Sequence, residues 1–259
     1  MKVFITKNKT LQTALSILFW ILVWQGVALL VSNELLIASP ISVLRVLYKL
    51  IFTSQFWISV FTSLIRVILG FLLGTAIGAV MAVVCFKSAL IKTLLLPLIT
   101  IVKTAPVASF IIITLVWIKT PTVSVFIAAL TVLPFSYFNI YEGLCAVDVK
   151  LLEMAKVFSL SKRKTLTKIY IPSVLPFFIG ALKSGLGFAW KSGIAAEVIA
   201  LPSHTIGREI KNAKIYLETS ELFAWTLVVI LLSFILEKGV VSLIEKIVPL
   251  THHKGGDVS

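Results

Sequence analysis

Long apolar stretches, each long enough to cross a lipid bilayer, constrain this chain more than any other feature of its sequence. Residues 11–31 form one such stretch and contain no charged residue. A membrane-spanning helix needs about 20 mainly apolar residues. Of the 259 residues 59% are hydrophobic and only 14% are charged, which leaves too few polar residues to cover a soluble globule. The sequence therefore predicts an all-α, polytopic membrane protein.

Six apolar segments predict a six-span helical bundle. We place the spans at about residues 11–31, 58–84, 93–118, 122–141, 173–200 and 221–236, with an extension of the last one to 248 as the alternative. Pro97 and Pro106 interrupt the third segment, so we expect a lead-in piece followed by a kinked span. Residues 1–10 and 249–259 are expected to be polar termini on either side of a transmembrane domain, residues 11–248.

Two amphipathic helices are predicted outside the spans. Ser39 and Pro40 form a typical helix start, and the apolar residues that follow recur at helical spacing. In residues 201–220 a common helix face is predicted for Ile206, Ile210, Ala213 and Leu217. Within the second span, small residues at four-residue spacing predict close approach of another helix: Gly70, Gly74 and Gly78.

The positive charges predict the orientation of the chain. Of the 24 Lys and Arg residues, fourteen fall on one side of the predicted spans and six on the other. Because cytoplasmic loops carry the excess of positive charge, both termini are expected in the cytoplasm. The net charge of +13 does not indicate a nucleic-acid partner, since no zinc pattern, basic helix or aromatic-basic strand motif accompanies it. The lipid bilayer is the expected environment.

The polar segment at about residues 142–172, called the coupling loop below, carries the most informative pattern. Lys150, Glu153 and Lys156 form a polar stripe at three-residue spacing on a predicted helix. The residues around that stripe are too apolar for a solvated loop: Leu151, Leu152, Met154, Ala155, Val157 and Phe158. An exposed apolar surface of this kind indicates a protein partner. Ser159 or Ser161 is expected to cap a second helix that Pro172 terminates.

The coupling loop resembles the signature of permease subunits from bacterial ABC importers that use extracellular binding proteins. That signature reads Glu-Ala-Ala, three residues, Gly, nine residues, Ile-x-Leu-Pro. The present chain has Glu153, Met154 and Ala155, then Ser159, then Ile169-x-Ile171-Pro172, with the same spacing throughout. It departs at Met154, Ser159 and Ile171. Outside the loop, the second, third and fifth spans also resemble the nitrate/sulfonate/taurine-type subfamily, through Ser63, Arg66, Pro106, Trp117, Pro176, Trp190 and Glu197.

The resemblance implies a six-span permease fold in the bacterial inner membrane, with a homodimer of this chain bound to a cytoplasmic ABC ATPase dimer and an extracellular or periplasmic solute-binding protein. It also implies that ATP is bound by the partner ATPase, and no cofactor or metal is expected on this chain. The residues expected to contact the ATPase are Lys150, Glu153, Met154, Ala155, Phe158, Ser159 and Pro172. The solutes consistent with the subfamily are nitrate, a sulfonate, taurine or a thiamine-precursor pyrimidine.

Ionisable residues inside predicted spans are the candidates for a translocation pathway. An ionised group at the bilayer centre costs about 2.5–3.5 kcal/mol on insertion scales, so such groups face a cavity, pair, or lie near an interface. Lys191 is expected near the middle of the fifth span, Lys183 nearer its inner end, and Glu197 is expected either to pair with Arg66 or to line the outer mouth. The full set of pathway candidates is Arg66, Lys103, Lys183, Trp190, Lys191 and Glu197.

Two other classes of protein fit this sequence less well than a permease does. An ion-coupled secondary transporter would show internal repeat symmetry, which this sequence lacks. A membrane-embedded enzyme would need convergent His, Asp or Ser residues within the spans, and there is no such set. A Walker A glycine loop is also absent from the sequence, so ATP hydrolysis is assigned to a separate chain.

Overall fold

A computed structural model describes residues 9–247, and within that range every regular element is a helix. The eleven α-helices, in chain order, are α1 (Lys9–Val31), α2 (Pro40–Ile51), α3 (Ser54–Lys87), α4 (Ala89–Thr104), α5 (Val107–Trp117), α6 (Thr120–Cys145), α7 (Val149–Val157), α8 (Lys162–Thr165), α9 (Ile171–Ala200), α10 (Ile206–Ile215) and α11 (Thr219–Ile247). Of the predicted polar termini, residues 1–8 and 249–259 lie outside the described residues, and Lys9 and Thr10 belong to α1.

Three long helices, α3, α6 and α9, form the centre of the bundle. The main apolar core joins them to α10 and α11 through Val67, Val132, Trp190, Ile206 and Trp225. The predicted glycine groove is confirmed, since α3 meets α6 along it. A methyl group on Gly70, Gly74 or Gly78 would overlap the backbone of α6 at Val125, Ala129 or Leu133. The absence of side chains at these positions therefore sets the distance between the two helices.

Both predicted amphipathic helices are present. Ser39 caps α2 by accepting a hydrogen bond from the Ser42 N–H, with Pro40 in the first turn. The second helix, α10, buries Ile206 and Ala213 as predicted. The prediction was wrong at Leu217, which lies beyond the end of α10 in a left-handed conformation (φ 60°) and is exposed. Its left-handed conformation closes α10, because the following Glu218 N–H donates to the Ala213 carbonyl oxygen at 2.9 Å.

The first predicted span, α1, lies at the edge of the bundle. None of the residues in its most apolar 18-residue stretch is buried against the rest of the chain. Its apolar side chains are therefore exposed around the helix. Contact with the bundle is made near its C-terminal end, where Trp24 Nε1 donates to the Ala38 carbonyl oxygen (3.0 Å) and the Trp24 ring stacks on Phe223. A helix exposed in this way suits a lipid environment.

The third predicted span is divided into two helices with a sharp bend between them. In the described part of the chain five helices are long and apolar enough to cross a membrane, and α4 with α5 makes a sixth only if the pair is taken as one span. The axes of α4 and α5 differ by 108°. Pro97 lies inside α4 without breaking it, whereas Pro106 occupies the N-cap of α5. The chain therefore bends more sharply at Pro106 than the lead-in piece and kinked span that the sequence predicted.

The prediction that Pro172 terminates a helix was also wrong. Residues 162–200 form one continuous helical segment, in which a π-helical turn, Leu166–Tyr170, connects α8 to α9. Proline has no N–H and its ring crowds the carbonyl four residues earlier. The wider turn accommodates this, since the Ile171 N–H donates to the Leu166 carbonyl oxygen, five residues earlier. Pro172 follows directly in α9, so its missing N–H falls where the wider turn has already changed the hydrogen-bond pattern.

Candidate functional site

The predicted helix of the coupling loop is α7, and each of its ends is closed by a specific contact. Asp148 caps the start, because its side-chain oxygen accepts a hydrogen bond from the Lys150 N–H at 2.8 Å. At the other end, the Ser159 N–H donates to the Lys156 carbonyl and the Leu160 N–H donates to the Ala155 carbonyl, at 3.0 and 2.9 Å. This pair of bonds is a Schellman motif, which normally places glycine at the position of Ser159.

Ser159 adopts the backbone conformation that the glycine of the family signature would adopt. Its φ is 48°, in the left-handed region that side chains other than glycine rarely occupy. Ser159 therefore ends α7 rather than starting the next helix. Of the two candidate caps, it is Ser161 that starts α8, by accepting a hydrogen bond from the Lys164 N–H.

Large apolar side chains of α7 and its C-cap are exposed. Val157 and Phe158 are 80% and 71% exposed, and Val149, Leu151 and Met154 are also classed as exposed. The charged groups Lys150, Glu153 and Lys156 are exposed beside them. Among the predicted contact residues, Ala155 alone is buried, so its role within this subunit is to hold α7 in place. The exposed set forms a short apolar surface bordered by charge.

A small apolar cluster attaches α7 to the helical segment that leads into α9. Val147, Ala155 and Ile169 are buried together, and Leu152, Leu160 and Tyr170 pack against them. Ile169 belongs to the π-helical turn that continues directly into α9. The cluster therefore packs α7 directly against the helical segment that continues into α9.

Three of the predicted pathway residues are exposed lysines on long apolar helices. Lys183 and Lys191 lie on an exposed face of α9 between residues 183 and 199, together with Ser184, Phe188, Ala195 and Ile199; we call this face the α9 stripe. Lys183 is nearer the middle of α9 than Lys191 is, contrary to the prediction, because α9 begins at Ile171 and ends at Ala200. Lys103, in the last turn of α4, places its Nζ 4.6 Å from the centre of the Phe138 ring.

The other three pathway candidates are wholly or partly enclosed by this subunit. Trp190 is buried and its Nε1 donates to the Val229 carbonyl oxygen at 3.0 Å. Glu197 is fully buried, and its Oε2 accepts a hydrogen bond from Ser63 Oγ at 2.7 Å. Arg66 is half-buried with a buried Nη1 that has no hydrogen-bond partner. In the described residues the carboxyl group of Glu197 is therefore enclosed and hydrogen-bonded to Ser63 and Gly207 rather than to Arg66. Its predicted place on the pathway stays a prediction.

Several residues that hold these helices together could not be identified from the sequence. Thr131 Oγ1 and Ser192 Oγ share a hydrogen bond at 2.8 Å and so connect α6 to α9. Gly207 N–H donates to Glu197 Oε2 at 3.3 Å and connects α10 to α9. Small polar residues within apolar spans were the available signal, but the sequence does not show which of them face each other.

These features define a class of protein: a polytopic helical membrane protein with a rigid, apolar loop helix joined to one of its central spans. Within that class, the chain belongs to the family described as the binding-protein-dependent transport system inner membrane component, which matches residues 74–247.

Several relatives of this chain are permease proteins whose names include a solute. The putative aliphatic sulfonates transport permease protein SsuC of Bacillus subtilis is 26% identical over 79% of this chain and 74% of its own. The nitrate import permease protein NrtB of Synechocystis sp. is 27% identical over 76% and 74%. The taurine transport system permease protein TauC of Escherichia coli is 23% identical over 74% and 70%.

The fold is also found in a solved structure. A chain in the crystal structure of an amino acid ABC transporter with histidines superposes with a TM-score of 0.62, at 17% sequence identity, over 78% of this chain and 96% of that chain. At that identity the likeness shows a shared fold. Together with the family match it establishes that this chain is a multi-pass inner-membrane permease subunit of an ABC importer, a transport subunit rather than an enzyme. Membership of this family implies an ATPase and a solute-binding protein as partners.

Proposed function

We propose that this subunit forms, as a homodimer, the pathway for a small anionic solute and receives movement from a cytoplasmic ATPase through α7. The exposed apolar surface of α7 carries this proposal. Complete burial of a side chain the size of Phe158 contributes about 1.5–3 kcal/mol, so an unpartnered surface of this kind favours docking to a protein. Both termini are cytoplasmic in this proposal, which places the positively charged coupling loop on the side of the ATPase.

The connection from α7 to α9 supports a mechanical role. The cluster of Val147, Ala155 and Ile169 holds α7 against the segment that runs without interruption into α9. Movement of α7 toward or away from the membrane would therefore shift α9. Because α9 carries Lys183 and Lys191, that shift would change the access to the residues that we assign to the pathway.

The α9 stripe supports the anionic solute and the second copy. Two lysine side chains exposed on an apolar spanning helix are costly in lipid, so this face is expected to line a water-filled space or another protein chain. Two copies of the stripe facing each other would supply four ammonium groups to one pathway. The relatives named for aliphatic sulfonates, nitrate and taurine all concern small molecules with an oxoanion group.

Docking through α7 is tested by Phe158→Asp with a matched control, Tyr216→Asp. Phe158 and Tyr216 are 71% and 72% exposed, each is the C-cap of a short helix, and each precedes a left-handed residue. Only Phe158 lies in the proposed docking surface. We expect Phe158→Asp to weaken ATPase binding by about 2 kcal/mol, or roughly 30-fold, and Tyr216→Asp to leave it within about twofold.

The measurement is binding of the purified ATPase to the permease in detergent, where no solute or binding protein is needed. Equal binding of the ATPase to both variants would show that α7 is not the docking helix. Loss of binding with both would show a general loss of folding, which the yield of monodisperse permease would detect. Loss with Phe158→Asp alone supports the proposal.

A further inference from the structure

The outer helix α10 begins at a buried polar contact with two membrane-spanning helices. Ser63 Oγ, on α3, donates to Glu197 Oε2 on α9 at 2.7 Å and accepts a hydrogen bond from the Ile206 N–H at 3.0 Å. Glu197 Oε2 also accepts from the Gly207 N–H at 3.3 Å. We call Ser63, Glu197, Ile206 and Gly207 the α10 joint.

The groups of the α10 joint supply several of one another's hydrogen-bond partners, although Glu197 Oε1 is buried without one. The first N–H groups of a helix have no partner within the helix, and a buried carboxylate needs donors in place of water. Ser63, Glu197 and Ile206 are all fully buried. Glu197 Oε2 also lies at the helix end where the backbone dipoles give partial positive charge.

The backbones of α9 and α10 are in close contact at the α10 joint. A methyl group on Gly207 would overlap Glu197 Cβ and the Val198 nitrogen, so α10 starts in direct contact with α9. The connection between the two helices is only residues 201–205, and it contains two left-handed residues, Leu201 (φ 56°) and His204 (φ 55°). A short connection and a close fit leave little freedom for α10 to move relative to α9.

We propose that Glu197 is a positioning residue for transport, which together with Ser63 fixes α10 to α3 and α9 so that the three helices move as one body. The pathway role expected for Glu197 from the sequence is replaced here by a role in the protein interior. A force applied to the outer surface of α10 would then move α9, and with it the α9 stripe. This inference requires neither a particular solute nor docking through α7.

The test follows the contact between α3 and α10 by electron paramagnetic resonance. Gln55 Nε2 donates to Glu209 Oε1 at 3.0 Å near the outer end of the same interface, so spin labels at Gln55→Cys and Glu209→Cys lie within range of dipolar broadening. The natural thiols, Cys85 and Cys145, are replaced first. The permease is reconstituted with its ATPase in lipid and measured without nucleotide and after trapping with ADP and vanadate.

We expect the same dipolar broadening in both states, because α3 and α10 move together. Ser63→Ala should reduce the broadening, whereas the matched control Ser124→Ala should not, since Ser124 is equally buried on a spanning helix but its Oγ has no hydrogen-bond partner. Glu197→Gln keeps an acceptor oxygen and should preserve more of the broadening than Glu197→Leu. Such rescue by the conservative variant would not follow from a loss of packing alone.

Two results would overturn the inference. One is a clear change in broadening on trapping when Ser63 and Glu197 are both intact, which would show that α10 moves separately from α3. That comparison uses no joint variant and so does not depend on the folding of Ser63→Ala. The other is equal broadening in Ser63→Ala and Ser124→Ala, which would show that the α10 joint does not position the helix.

Discussion

At the scale of single residues, Ser159 shows how a departure from the family signature is tolerated. Its left-handed backbone (φ 48°) closes α7 and allows the Leu160 N–H to reach the Ala155 carbonyl. A residue other than glycine in this conformation costs about 1–2 kcal/mol. The resemblance identified the position, and the structure shows that serine adopts the geometry at that cost. The glycine of the signature is therefore explained by backbone conformation alone.

Ser159→Gly is expected to stabilise the end of α7 by about 0.5–1 kcal/mol, because glycine removes the left-handed strain but loses more backbone entropy on folding. Hydrogen exchange of the amides in residues 149–160 measures this as roughly two- to fivefold slower exchange. Ser159→Val serves as the opposite control and should speed exchange, since a β-branched residue is disfavoured at positive φ. Faster exchange with glycine would contradict this account.

At the scale of helices, the contact between α3 and α6 depends on residues without side chains. Gly74→Ala places a methyl group against the Ala129 backbone, which cannot move without shifting α6. We expect a loss of about 1–3 kcal/mol, the usual cost of overpacking. Gly26→Ala is the matched control, because nothing lies within 4 Å of a methyl group there, and it should be neutral or stabilise α1 by up to about 1 kcal/mol.

The buried thiol of Cys85, on α3, reports the unfolding of this interface. With Cys145 replaced, a thiol-reactive dye should react at a lower temperature in Gly74→Ala and at an unchanged or higher temperature in Gly26→Ala. A shift of the same size and direction in both variants would mean that the groove at Gly74 has no special role in packing.

Proline positions show why helix breaks could not be read from the sequence alone. Pro97, Pro106 and Pro172 all predicted interruptions, yet only Pro106 coincides with one, the bend between α4 and α5. A lost N–H can be compensated locally, as the π-helical turn before Pro172 compensates it. Which outcome occurs depends on the packing of neighbouring helices, and that information is tertiary.

At the scale of the whole molecule, five of the predicted spans, the two amphipathic helices and α7 followed from periodicity and hydrophobicity, whereas the third predicted span is divided between α4 and α5. The placement of the charged residues did not. Glu197 and Lys191 both lie on α9, but the first is enclosed by Ser63 and Gly207, whereas the second remains exposed. Both are ionisable residues in an apolar segment, so the sequence treats them alike. Their difference arises from which face of α9 meets α3 and α10.

Lys191 lies on the exposed face of α9, where it would meet an anion in the pathway. An anion that leaves water for a membrane pathway loses hydration, and the Lys191 ammonium would compensate part of that loss. We therefore expect Lys191→Ala to reduce uptake of the transported anion by about tenfold or more, which corresponds to about 1.4 kcal/mol, and Lys191→Arg to retain most of it.

Uptake of taurine, an alkanesulfonate and nitrate would be compared in cells that contain equal amounts of assembled permease and ATPase. Lys214→Ala, which removes an exposed lysine from α10 instead, should leave uptake close to that of the unmodified protein. Unchanged uptake kinetics in Lys191→Ala would remove Lys191 from the pathway, and the α9 stripe would then be explained by contact with a second protein chain.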